Sequence, residues 1–319
     1  MTKLVEHRGV VDCGHAGHPR CKIAKRLHWP AACLQAHSTG SNVSTSSTFL
    51  DCHDPQSAVR SLSTAFRVED HELLLAIKSC RVRDYDAPYL EERILAKILK
   101  DLGVRGTPQF AGTYFFHGTR TFDSGGFSVR GVLPLTDVLD ELWTSLHSLI
   151  GHIVTRSEWE AHRRAIETTT AGGHGGWQYR LKTRDPGIHA GPYAHLIREL
   201  HLTPSPERHD YLAVPEIVQD IARTCDFNLI ERYTEATTPC VVKFRTSANE
   251  EHAYQAAFWY VYAHIHGDAP PQSILYAYSG QNKPVQPHDV LSVELIANAD
   301  TPGGPPLTRT ASNEGEASP

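Results

Sequence analysis

The hydrophobic period of this chain changes along its length, and the change limits what the chain can fold into. Between 136 and 150 the apolar residues Val138, Leu139, Leu142, Trp143, Leu146 and Ile150 recur at helical spacing, so one stripe of a helix must be buried. After residue 239 the period shortens. Segments 240–244 (CVVKF), 274–278 (ILYAY) and 290–296 (VLSVELI) read as strands, with a helix over roughly 250–265 between the first two. Helical and strand patterns occupying different stretches of one chain imply an α+β fold.

The same reading divides the chain. Residues 1–57 hold few periodic apolar positions, four of the seven cysteines and the run HSTGSNVSTSST, so they are expected to form a poorly structured or metal-dependent extension. Val68, Leu73, Leu74 and Ile77 share one helical face, and Leu90, Ile94, Leu95, Ile98, Leu99 and Leu102 share another before Gly103, which predicts a small helical module over 58–105. The main body spans 106–300. In it Thr136 is placed to cap the helix of 136–150, and Pro192 and Pro215 stand where first-turn prolines open helices carrying Leu196, Ile197 and Leu200, and Ile217, Val218 and Ile221. The glycine-rich stretch 171–193 predicts a short strand at 177–181 within backbone suited to ligand approach. Residues 301–319 are small, polar and proline-rich, a disordered tail by composition.

Bulk properties narrow the class of function. Thirty-six acidic against 31 basic side chains leave a formal charge of −5, so no chain-wide field draws the protein to nucleic acid or anionic membrane. Glu6, Arg8 and Asp12 interrupt any apolar leader, and no run of about 18 apolar residues follows. Seven unevenly spaced cysteines suit reduced thiols better than a secreted disulfide framework. The expectation is a cytoplasmic protein without a membrane span.

The most function-like segment is YFFHGTR at 114–120. Residues 113–116 are aromatic or β-branched, and Gly118 is expected to end the strand, so that His117 stands at the edge of the core. Glycine there allows close ligand approach, while Thr119 and Arg120 add a hydroxyl and a guanidinium. The structural alternative is a histidine that caps a strand end beside a solvated arginine.

YFFHGTR, with the glycines and VLPL that follow it, resembles the first conserved region of the ADP-ribosyltransferase superfamily, and GIHAGPYA at 187–194 is similar to the second. The resemblance covers some 15 positions of the main body. It implies a split β-sheet core with flanking helices, NAD as substrate, and His117 and Tyr193 as the first members of a His-Tyr-acid constellation. By the same resemblance His117 contacts a ribose, Gly118 and Thr119 adjoin it, and Tyr193 stacks on nicotinamide. Two residues are candidates for the acid. Glu294, in VLSVELI, sits between apolar neighbours on an expected strand and is the first choice; Glu216, in YLAVPEIV, stands where a carboxylate complements a helix N-terminus. The implied chemistry breaks the nicotinamide–ribose bond through an oxocarbenium-like state, which a carboxylate stabilises without a metal. Arg120 or Arg130 would pair with the diphosphate. The acceptor of ADP-ribose stays unassigned.

Two other readings compete. His117-Gly-Thr119 and His201-Leu-Thr203 resemble the paired motifs of two-histidine phosphoesterases, in which one imidazole acts as acid and the other as base. Separately, Cys13, His15, His18 and Cys21, with Cys33 and His37 beyond, are zinc-ligand types. Residues 1–40 are also basic, which keeps a non-enzymatic, metal-stabilised arm contacting nucleic acid or a partner in view.

Overall fold

The computed structural model describes residues 48–81, 90–168, 172–184, 191–206, 208–225, 227–247, 252–268 and 274–297. The candidate zinc ligands and the 301–319 tail lie outside these residues. The α+β class holds: among the described residues a six-stranded sheet is flanked by helices.

The sheet is built around β2 (Gly112–Thr121) and β4 (Thr238–Thr246), which pair antiparallel from Thr113↔Thr246 to Thr121↔Thr238. β6 (Val290–Leu295) lies outside β4. On the other side of β2 come β3 (Tyr193–His195) and then β5 (Ala277–Ser279), while β1 (Phe49–Leu50) runs parallel to the start of β2 on that same edge.

The helices form two groups, of which the first shares its core with the sheet. The first is α1 (Pro55–Phe66), α2 (Asp70–Ser79), α3 (Leu90–Asp101) and, near the end of the described chain, α11 (Ala253–His266). α1 is capped by Asp54, whose carboxylate accepts from the Ser57 amide at 2.7 Å, and α2 by the reciprocal Glu69–Glu72 capping box. Phe258, Trp259 and Tyr262 of α11 are buried as a packing face. The Tyr262 hydroxyl donates to the Cys80 carbonyl, and His266 bonds the Ile77 carbonyl. The helices of 58–105 therefore share one hydrophobic cluster with the sheet, and ordered structure begins before residue 57, since Leu50 and Cys52 are fully buried in that cluster.

The second group is α5 (Leu135–Ile150), α6 (Arg156–Thr168), α7 (Gly173–Arg184), α9 (Glu216–Ala222) and α10 (Leu229–Ala236), around Trp143, Trp159 and Tyr179. The short α4 (Gly126–Arg130) and α8 (Glu199–Leu202) complete the helices used below.

Four local expectations are corrected. Residues 177–181 are helical, because Tyr179 reaches the buried Trp143–Trp159 cluster from α7. The glycines there serve helix contact: a Cβ on Gly175 would lie 2.7 Å from the Asp220 carbonyl oxygen of α9. Tyr193 to His195 is a strand where a helix from Pro192 was expected, since the open edge of β2 pairs with it and Ala194 joins the cluster around Phe115. Thr136 lies inside α5, with Pro134 at the cap position, and its hydroxyl bonds Asn282 Oδ1 at 2.7 Å. Finally, β2 does not end at Gly118 but continues to Thr121, held by β4 along its whole length.

Candidate functional site

Because side chains alternate along a strand, β2 divides YFFHGTR between two surfaces. Phe115, His117 and Thr119 share a face with Phe244, Val242 and Cys240 of β4; Phe116, Gly118 and Arg120 share the other with Lys243, Val241 and Pro239. Phe115 is buried in the cluster beneath the sheet. One step further along the same face, His117 and Thr119 open onto a cavity of about 330 Å³. Phe127 and Arg130 of α4, Val138 and Glu141 of α5, and Ile217 of α9 are among its other walls.

His117 Nδ1 lies 2.7 Å from the carbonyl oxygen of Tyr193. A carbonyl only accepts, so Nδ1 carries the proton and donates. Burial lowers the imidazole's pKa despite that bond, which keeps the ring neutral and leaves Nε2 as an acceptor. The contact also joins the two segments that carry the family resemblance, 76 residues apart in sequence.

The Tyr193 side chain is on the other face of the sheet, opposite Ser279 of β5, and is 39 % exposed. Burial raises its hydroxyl pKa, Ser279 lowers it through a hydrogen bond, and the charge of Glu216 raises it again. Glu216 itself begins α9. Its Oε2 lies 3.3 Å from Lys182 Nζ, it accepts from the hydroxyl of Tyr211, and its neighbours Pro215 and Ile217 line the cavity. Lys182 is held in turn by the buried carboxylate of Asp220 at 2.5 Å. Burial, reinforced by Glu216, drives the Tyr211 hydroxyl well above its usual range.

Glu294 lies two strands from β2, across β4, and Arg198 occupies both of its carboxylate oxygens, one of them through Nε at 2.7 Å. Arg120 is equally committed. Its guanidinium is buried and donates to the carbonyls of Leu212, Thr234 and Thr237 and to the Thr237 hydroxyl, at 2.7–3.0 Å. Of the two arginines expected to meet a diphosphate, Arg130 is the one whose side chain stays half-exposed at the cavity, paired with Glu141 at 2.7 Å.

Gly118 has a reason other than ligand approach. A Cβ there would stand 2.3 Å from Nδ1 of His201, whose Nε2 donates to the Phe116 carbonyl at 2.7 Å. His201 therefore lies against the opposite face of β2 from His117, and the strand separates the two imidazoles of the phosphoesterase reading. Gly118→Ala is expected to cost about 1–3 kcal/mol by overpacking. In urea unfolding, His201→Ala in the Gly118→Ala background should recover part of that loss; a fully additive double variant would refute the contact.

Ser279, Tyr211, Lys182 and Glu141 were not singled out from sequence. Ser279 and Lys182 meet Tyr193 and Glu216 from segments far away in the chain, which leaves no local signal, whereas Tyr211 stands five residues before Glu216 in the same YLAVPEIV segment. Glu141 carries a local signal: it follows Val138 by three residues, so helical spacing sets it beside the apolar stripe of α5. No group of three or more metal-ligand side chains converges among the described residues. Compared with known proteins, the chain matches no family model, no curated protein and no solved structure.

Proposed function

We propose that the cavity beside His117 binds NAD and that the protein transfers ADP-ribose from it, releasing nicotinamide. The observation that carries this reading is the 2.7 Å bond from His117 to the Tyr193 carbonyl, which brings both resembling segments to one end of the sheet. A neutral imidazole with Nε2 as acceptor suits a ribose hydroxyl, which donates. At about 330 Å³ the cavity is at the small end of ligand sites, enough for a ribose and an attached ring, with the diphosphate extending toward Arg130 at the rim.

Glu216 is the carboxylate we assign to the chemistry. Glu294 has both oxygens taken by Arg198, whereas Glu216 is flanked in sequence by the cavity-lining Pro215 and Ile217 and accepts from the Tyr211 hydroxyl. As the glycosidic C–N bond breaks, nicotinamide leaves with the electron pair and positive charge develops on the ribose. A fixed carboxylate stabilises that charge until the acceptor's lone pair attacks the anomeric carbon.

The test is NAD labelled in the nicotinamide, with release followed over time and binding measured by calorimetry. His117→Ala is expected to weaken NAD binding about tenfold, the loss of roughly 1.4 kcal/mol that one good hydrogen bond represents. Glu216→Gln should leave binding near wild type and slow release. Absence of both heat and nicotinamide release at millimolar NAD removes the proposal.

A further inference from the structure

Resting on the NAD reading of this cavity, we propose that Glu141 is a specificity residue that occupies Arg130 until a diphosphate displaces it. Arg120, the other guanidinium at the cavity, is buried and bonded to carbonyls, so among the described residues Arg130 is the cation in the lining that remains available to a ligand. Its partner is Glu141 Oε2 at 2.7 Å, and both side chains are about half-exposed.

The backbone at this point is held, whereas the Arg130 side chain is half-exposed. Gly131, which follows Arg130, has φ 77° and is closed in by Val285, whose carbonyl oxygen would lie 1.9 Å from any Cβ there. Val132 and Val285 exchange amide-to-carbonyl bonds at 3.1 and 2.9 Å. α4 thus ends at a fixed place, and exchanging Glu141 for a phosphate needs only new rotamers of two exposed side chains. Guanidinium binds phosphate oxygens as two parallel hydrogen bonds, a match that a monodentate contact to Glu141 does not use.

The charge balance gives Glu141 its selective effect. Among the described residues, Asp123 and Glu141 bring two negative charges to the cavity and Arg130 one accessible positive charge, with His117 neutral. A lone phosphate monoester meets this net negative rim with a single group. A diphosphate offers two groups to the guanidinium and can take over Arg130 from the carboxylate. Glu141 thereby favours dinucleotide-like diphosphates over simpler anions.

The test measures binding of NAD, nicotinamide riboside and inorganic pyrophosphate by calorimetry to wild type, Glu141→Gln, Arg130→Gln and the double variant. Glu141→Gln is expected to bind NAD and pyrophosphate about fivefold more tightly and nicotinamide riboside unchanged; the double variant should lose the gain. Unchanged NAD affinity in Glu141→Gln overturns the role of Glu141 while leaving NAD binding intact. Equal tightening of the riboside overturns the diphosphate exchange. If pyrophosphate shows the gain and NAD does not bind at all, the anion site stands and the NAD reading falls; if neither binds any variant, both fall.

Discussion

Arg120→Ala is expected to lower the unfolding free energy by about 3–4 kcal/mol, the cost of leaving several buried acceptors without a donor. The guanidinium joins β2 to three places: the carbonyl of Leu212 before α9, that of Thr234 in the last turn of α10, and Thr237 just before β4. Its position at the end of α10 also sets a positive charge against the helix dipole. Lysine cannot reproduce this fork, because one ammonium does not span acceptors arranged around a planar group. Arg120→Lys should therefore lose roughly half as much as alanine. Arg130→Gln breaks an exposed pair and should stay within about 0.5 kcal/mol. Equilibrium urea unfolding of the three variants checks the order, and an Arg120→Ala midpoint equal to that of Arg130→Gln would show that the clamp is not made.

Acid should destabilise the protein from near pH 6.5 downward, and steeply. Burial pushes the imidazole of His201 down to about 3 and that of His195 down to about 4, with the nearby Arg208 charge acting in the same direction on both. Their rings lie 5.0 Å apart, and His195 Nδ1 is buried without a hydrogen-bond partner among the described residues. In the unfolded chain both histidines titrate near 6.5. Below that pH the unfolded chain takes up protons that the folded protein refuses, so stability falls with acid until the folded values are reached. Each histidine contributes a slope of about 1.4 kcal/mol per pH unit within this window, and the loss down to pH 4 is on the order of 5 kcal/mol once partial solvent access is allowed for. His201→Gln retains an amide donor for the Phe116 carbonyl and removes one titration. Its urea midpoint should depend on pH about half as steeply between 6.5 and 4, and an unaltered slope would mean that His201 is already protonated in the folded state.

These two residues show how unevenly structure was legible in the sequence. Arg120 was visible as a charged residue beside a strand histidine and was read as a diphosphate partner. Nothing local marks a guanidinium for burial, since its acceptors lie 92 to 117 residues away. In sequence His201 offers itself as one of the two phosphoesterase imidazoles, whereas the contact that defines it is with Gly118 and the Phe116 carbonyl on another element. The pairing of His117 with the Tyr193 segment is different. It places together two segments that resemblance alone had linked, through a carbonyl that sequence does not distinguish from any other.

Amphipathic period was enough for the helices at Leu135–Ile150 and Glu216–Ala222 and for the strands around 240–244 and 290–295, because a face that must leave water imposes its own repeat on the chain. Where the deciding neighbour is remote, local pattern carried no such information. β2 runs on through Gly118 because β4 pairs beside it; α7 is a helix because α9 approaches its glycines; Tyr193 stands in a strand because β2 left an edge to fill. His117, Thr119 and Arg130, residue types that mark candidates in the sequence, line one cavity. That Arg120 is buried among carbonyls while Arg130 stays half-exposed, and that Arg198 holds Glu294, followed only from the packing of elements distant in the chain.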